Sequence, residues 1–143
     1  MRGNVYTVGH GRTADARTLV DLARVHDCAL VDVRSKPYSR RNPAANKERL
    51  LAEAQAQGVC YRWAGAILGG WSKAPRAEQE VLLRRLLGEH GNILLLCSET
   101  DPRRCHREYR LGRWLREAGV TVTHLRVGET TRCRGPGRQL ELV

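Results

Sequence analysis

The chain is 143 residues long with a formal charge of +10 and a pI near 10.1, long enough to bury a core without disulfide staples. No apolar run approaches the ~20 residues needed to cross a bilayer, and the N-terminus lacks a signal peptide's apolar core. Five cysteines, an odd number without regular spacing, point to reduced thiols and a cytoplasmic setting. The charge points toward polyanions: nucleic acid, nucleotides or acidic protein surfaces. Arginine far outnumbers lysine and Phe is absent, a bias that GC-rich coding also produces, so charge alone does not establish a partner.

In chain order, Asn4 to Val8 reads as a first strand, ended by Gly9-His10-Gly11, where two glycines permit a sharp turn. Thr13 is a candidate cap for a helix over about 14–26, with Ala16, Leu19, Val20 and Ala23 on one face. Ala29 to Val33 is a second strand, expected beside the first through a helical crossover. Ser35 to Pro43 holds two prolines, two serines and several cations, which suits an irregular surface loop. A helix over about 47–57 follows, capped by Asn46, with Leu50, Leu51 and Ala54 inward and Gly58 as its stop. Val59 to Trp63 is a third strand, and Ala64 to Ala74 a loop containing Leu68-Gly69-Gly70-Trp71. Pro75 opens a helix to about Leu87, with Val81, Leu82 and Leu86 as its buried set.

Ile93 to Cys97 is an apolar run that reads as a strand buried on both faces. Asp101 then has the chemistry of an N-cap and Pro102 fits the first helical position. The spacing predicts a helix from Pro102 to about Ala118, with Gly119 as its stop. Val120 to Val127 is a fifth strand. Residues 1–127 read as a single α/β domain and 128–143 as a basic tail with Arg132, Arg134 and Arg138, where Leu140 to Val143 could add a short strand.

Alternating strands and helices imply a three-layer, Rossmann-like α/β domain with a mainly parallel five-stranded sheet and helices on both faces. Ligands of such sheets bind beyond the carboxyl ends of the strands. That rule gathers His10, Arg34, Ser35, Ser39, Arg40, Glu99, Asp101, Cys105 and His106 at one end. Arg34, Arg40 and Arg107 offer guanidinium forks, and Ser35 and Ser39 hydroxyls, to phosphate or carboxylate oxygens. The alternative for Arg34 is pairing with Asp32 or Glu99. Glu99 suits a general base, His10 or His106 a proton carrier, and Asp101 either a ligand contact or, foremost, a cap.

Cys105 near a helix N-terminus and beside arginines is a candidate nucleophile. Neighbours on a helix point ~100° apart, so Cys105 and His106 are not expected to touch. Cys97, Cys105, His106 and His10 are ligand types for a metal, but their spacing is no C-x-x-C or H-x-x-x-H pattern, the adjacency of Cys105 and His106 makes joint chelation awkward, and no metal site is assigned. Glu99 and Asp101 could hold magnesium against a phosphate. Tyr38, Trp63 and Trp71 are candidate stacking platforms for single-stranded nucleic acid.

The pattern Cys97-x-Glu99-x-Asp101-Pro102-x-x-Cys105-His106-Arg107 resembles the C-terminal signature of the family called "domain of unknown function 488". Thr7-Val8-Gly9-His10, the segment Val31 to Pro43 and Leu68-Gly69-Gly70 agree with it in order. The resemblance implies a compact α/β domain and a set of positions, without an established reaction. Gly11, Ala45 and Trp71 depart from the family's usual residues. Val31-Asp32-Val33-Arg34 is also similar to the Asp-Val-Arg strand of rhodanese-like sulfurtransferases, over four residues only.

These readings converge on an anion-binding cleft acting on a phosphorylated ligand, a nucleotide or nucleic acid. A non-catalytic nucleic-acid-binding module and a thiol-dependent enzyme using Cys105 are the alternatives.

Overall fold

The computed structural model describes residues 3–127. Five strands, β1 (Asn4–Gly9), β2 (Ala29–Asp32), β3 (Tyr61–Trp63), β4 (Asn92–Cys97) and β5 (Thr121–His124), form one sheet in the order β3-β2-β4-β1-β5. Every pairing is parallel, so each connection is a crossover. The helices α1 (Ala16–Val25), α2 (Lys47–Gln57), α3 (Gly65–Leu68), α4 (Arg76–His90) and α5 (Arg113–Glu117) lie in these crossovers. The expected three-layer α/β fold is the one observed. β1 and β2, expected as neighbours, are separated by β4, whose apolar run earns the central place.

Register sorts the core. Ile93 and Leu95 of β4 pack with Val5, Val31, Leu83, Leu86, Leu87, Leu111 and Leu115, while Leu94 and Leu96 pack with Val8, Leu19, Val20, Leu30, Leu50 and Ala54. Thus α1 and α2 cover one face and α3, α4 and α5 the other, as the two-residue period of a strand requires. Each fully buried leucine contributes about 1.5–3 kcal/mol.

Local signals explain the helix boundaries. Asp15, not Thr13, caps α1, its carboxylate accepting from the Thr18 N–H at 2.9 Å. Gly58 ends α2 at a φ of 71°, the left-handed conformation glycine adopts without cost. α4 runs to His90 and buries Gln79, Leu83, Leu86 and Leu87, leaving Val81 exposed. Those four positions form one stripe at helical spacing, whereas Val81 points away from it.

The largest departure follows β4. Instead of one helix from Pro102, a 3-10 turn spans Pro102–Arg104, Cys105 is extended (φ −129°, ψ 143°), and a π-helical turn spans Arg107–Gly112 before α5. Asp101 does cap the turn, accepting from the Arg103 N–H at 3.0 Å. The turn stops because Cys105 leaves helical geometry. β5 ends at His124, short of the expected Val127. Residues 128–143, including Arg132, Arg134, Arg138 and the expected strand at 140–143, lie outside the described residues. No helix among the described residues is long and apolar enough to cross a membrane.

Candidate functional site

The connection leaving β2 runs to β3 on one side of the sheet and that leaving β4 runs across β1 to β5 on the other. Such a divergence opens a crevice at the carboxyl ends of the strands. Past their last paired residues, β1 and β4 stay zipped: His10 N–H donates to the Cys97 carbonyl at 2.9 Å and Gly11 N–H to that of Ser98 at 3.0 Å. Gly9 makes this approach possible, since a Cβ there would lie 1.9 Å from the Glu99 carbonyl oxygen. His10 and Glu99 therefore flank one cavity of about 490 Å³, lined also by Gly11, Arg12, Ser39, Arg41, Ser98 and Thr100.

His10 is buried, and its Nδ1 lies 2.7 Å from the Gly11 carbonyl oxygen. A carbonyl can only accept, and the Asn42 amide 3.3 Å from Nδ1 donates instead to Ala14 at 2.8 Å, so Nδ1 carries the proton and Nε2 holds a lone pair. That Nε2 is buried with no hydrogen-bond partner among the described residues. Burial, with Arg34 nearby, holds the imidazole pKa below its ordinary value against the opposing Gly11 bond. Asn42, buried beside it, donates through Nδ2 to the Ala14 carbonyl at 2.8 Å and ties the loop to α1. Asn42 lies in the Val31–Pro43 segment that resembles the family, but sequence reasoning assigned it no role in the site.

A depressed histidine pKa has a signed consequence. Between the folded value and about 6.5 the unfolded chain binds a proton that the folded one refuses, so stability rises with pH across that window. His124, also lowered chiefly by burial, acts in the same direction. Denaturant titrations between pH 5 and 7 are expected to show stability falling as pH drops, and His10→Gln to flatten that slope. An unchanged slope in the variant contradicts the assignment.

The expected anion ligands divide. Arg34 commits Nε and Nη2 to Asp32 at 2.8 and 2.7 Å, with both side chains almost fully buried, and Tyr61 O–H donates to the same carboxylate at 2.6 Å. Only Nη1 of Arg34 is buried without a partner among the described residues. Ser35 Oγ accepts from the Trp71 N–H at 2.9 Å and holds the Gly69–Trp71 turn. Ser39 lines the cavity, whereas Arg40 does not; its neighbour Arg41 and the unforeseen Arg12 do. Asp101 pairs with Arg103, which absorbs it into the turn. Arg107, expected to face a ligand, is fully buried: it donates to Thr7 Oγ1 at 3.1 Å, to the Glu99 carbonyl, and to the Thr100 carbonyl at 3.1 Å. Its work is to fix the backbone that presents Glu99.

The cysteines lie elsewhere. Cys97 shares the parity of Ile93 and Leu95, the α3–α5 side, whereas Asn42 donates to the Gly11 and Ala14 carbonyls and so holds the His10 turn beside the start of α1. Cys97 Sγ and Cys105 Sγ are 2.7 Å apart, and Cys105 Sγ is 3.6 Å from His106 Nδ1. All three residues are buried. The expectation that Cys105 and His106 diverge fails because Cys105 is extended, not helical. The Cys97 thiol beside it holds Cys105 below the ordinary thiol range, against burial and with help from His106, while Cys97 is pushed up. Cys28, by contrast, is pushed up to about 12 by burial.

Residues 12–80 match the model of a family described as Domain of unknown function DUF488. The chain resembles the DUF488 family. The matched span holds Arg12, the Asp32–Asn42 segment and the Gly69–Gly70 turn; His10 and the Cys97–Arg107 segment fall outside it. DUF488 therefore supplies a likeness for the cation-bearing half of the cavity and no reaction. No curated protein matches the chain.

Proposed function

We propose that the cavity between His10 and Glu99 binds a phosphate-bearing ligand and that the protein is an enzyme acting on it. The observation that carries this reading is the proton-free Nε2 of buried His10, without a partner among the described residues, in a residue that lines a cavity with Arg12, Arg41, Ser39 and Glu99. Leaving such an atom unpaired costs ~1–3 kcal/mol, a cost a ligand proton offsets. Arg12 and Arg41 hold the anion, with Ser39 and the Nη1 of Arg34 as further donors. His10 Nε2 accepts a proton from the attacking water or hydroxyl, and Glu99 serves as a second base or as a ligand for magnesium. With Asp101 turned to Arg103, Glu99 is the carboxylate left for either task.

The test is phosphate release from a panel of nucleotides and phosphomonoesters, with and without magnesium. Glu99→Gln is expected to lower turnover by roughly 10²-fold or more while leaving ligand affinity within a few-fold. Loss of affinity without any turnover in the wild type contradicts the enzymatic reading.

One observation favours nucleic acid as the phosphate carrier. Trp71 is 72% exposed with the Lys36 ammonium 5.4 Å from its ring, and Lys47 lies 5.3 Å from the ring of Trp63. Exposed rings beside cations suit base stacking. Quenching of tryptophan fluorescence by a single-stranded oligonucleotide, but not by a mononucleotide, supports that form of the ligand.

A further inference from the structure

Separate from the cavity, three metal-binding side chains meet inside the protein. The Cys97 and Cys105 sulfurs and a His106 ring nitrogen all lie within 4.8 Å of one another, and all three residues are buried. His106 Nδ1 has Cys105 Sγ as its contact, and its Nε2 is buried with no partner among the described residues. A disulfide would account for the two sulfurs and leave the imidazole without a role. We infer that Cys97, Cys105 and His106 form a three-ligand site for a thiophilic divalent ion, best met by zinc.

The donor set and spacing support this. Two thiolates and an imidazole match the Cys₂His type that leaves a fourth position for water or substrate. On a tetrahedral zinc, with Zn–S of about 2.3 Å and Zn–N of about 2.0–2.1 Å, sulfur and nitrogen lie about 3.6 Å apart. Cys105 Sγ and His106 Nδ1 are 3.6 Å apart. Two thiolates on such an ion lie about 3.8 Å apart, so loading must separate the sulfurs by about 1 Å from 2.7 Å. Cys105, at the junction of two irregular turns, is the side chain placed to make that shift. Two thiolate charges neutralise the ion, and the protons released on binding go to solvent.

The chelate also bears on the neighbouring loop. Cys97 and Cys105 bracket the segment that carries Ser98, Glu99 and Thr100, so a bound ion would clamp the loop on which Glu99 sits. This consequence does not depend on what the cavity binds.

The test uses reduced, metal-free, full-length protein titrated with Co²⁺ and then Zn²⁺. One equivalent of Co²⁺ is expected to produce sulfur-to-cobalt charge-transfer absorption, which zinc abolishes by displacement. Cys97→Ser and Cys105→Ser should each remove most of that absorption, His106→Ala should weaken affinity at least tenfold, and Cys60→Ser should change nothing. If the cysteine variants do not fold, the wild type decides: zinc should protect Cys97 and Cys105, but not Cys60, from alkylation read by mass spectrometry. Absence of the charge-transfer absorption, equal alkylation with and without zinc, or closure of a Cys97–Cys105 disulfide with no metal uptake overturns the assignment.

Discussion

Replacing Arg34 with Met is expected to destabilise the protein by about 3–5 kcal/mol, the cost of stranding a buried charge. Asp32 would keep the Tyr61 hydroxyl but lose both charged bonds from Arg34, and neither side chain has solvent to turn to. Breaking such a pair costs far more than replacing it, because the desolvation of the survivor is no longer offset. The double substitution Asp32→Val with Arg34→Met should therefore recover most of the loss, despite removing more polar groups. Urea denaturation of the three variants gives the coupling directly. Additive losses would mean that the Asp32–Arg34 pair does not couple the two side chains.

Removing both Arg12 and Arg41 is expected to weaken binding of inorganic pyrophosphate by about a hundredfold, and each single alanine variant by roughly tenfold. These magnitudes follow from charged hydrogen bonds worth ~1.5–3 kcal/mol each, discounted at an exposed rim. Arg40→Ala should leave affinity near wild type, because that side chain does not line the cavity. Calorimetric titration at two salt concentrations checks both statements. Equal losses at Arg12, Arg40 and Arg41 would instead indicate a diffuse electrostatic attraction from the protein's net charge.

Much of the fold was legible because local signals agreed with one another. The apolar run Ile93–Cys97, the cap at Asp101, the stop at Gly58 and the alternation of periods all lead to a three-layer α/β domain. Strand order was not legible: nothing local states that β4 inserts between β1 and β2. Within the site, His10, Ser39 and Glu99 follow from the rule that strand ends carry ligands. For Arg34 the sequence left two readings, an anion ligand or a partner of Asp32, and the structure shows the pair with Asp32: two residues apart along extended chain, they share a side. Arg107 was named as a ligand contact, but a cation ten residues beyond the end of β4 gives no sign that its fork will return to the carbonyls of Glu99 and Thr100. The Cys105–His106 contact was hidden by assuming helix from Pro102 onward. A single extended residue there turned two diverging side chains into neighbours.

The most direct measurement is the ring-nitrogen NMR spectrum of His10 during titration with inorganic pyrophosphate. The spectrum of the free protein should show a neutral ring with the proton on Nδ1. Added pyrophosphate should shift the Nε2 resonance saturably, with little effect on His90, which lies at the opposite end of the sheet. A His10 that is already protonated near pH 7, or an Nε2 signal indifferent to saturating pyrophosphate, would contradict the placement of an anion beside a free base.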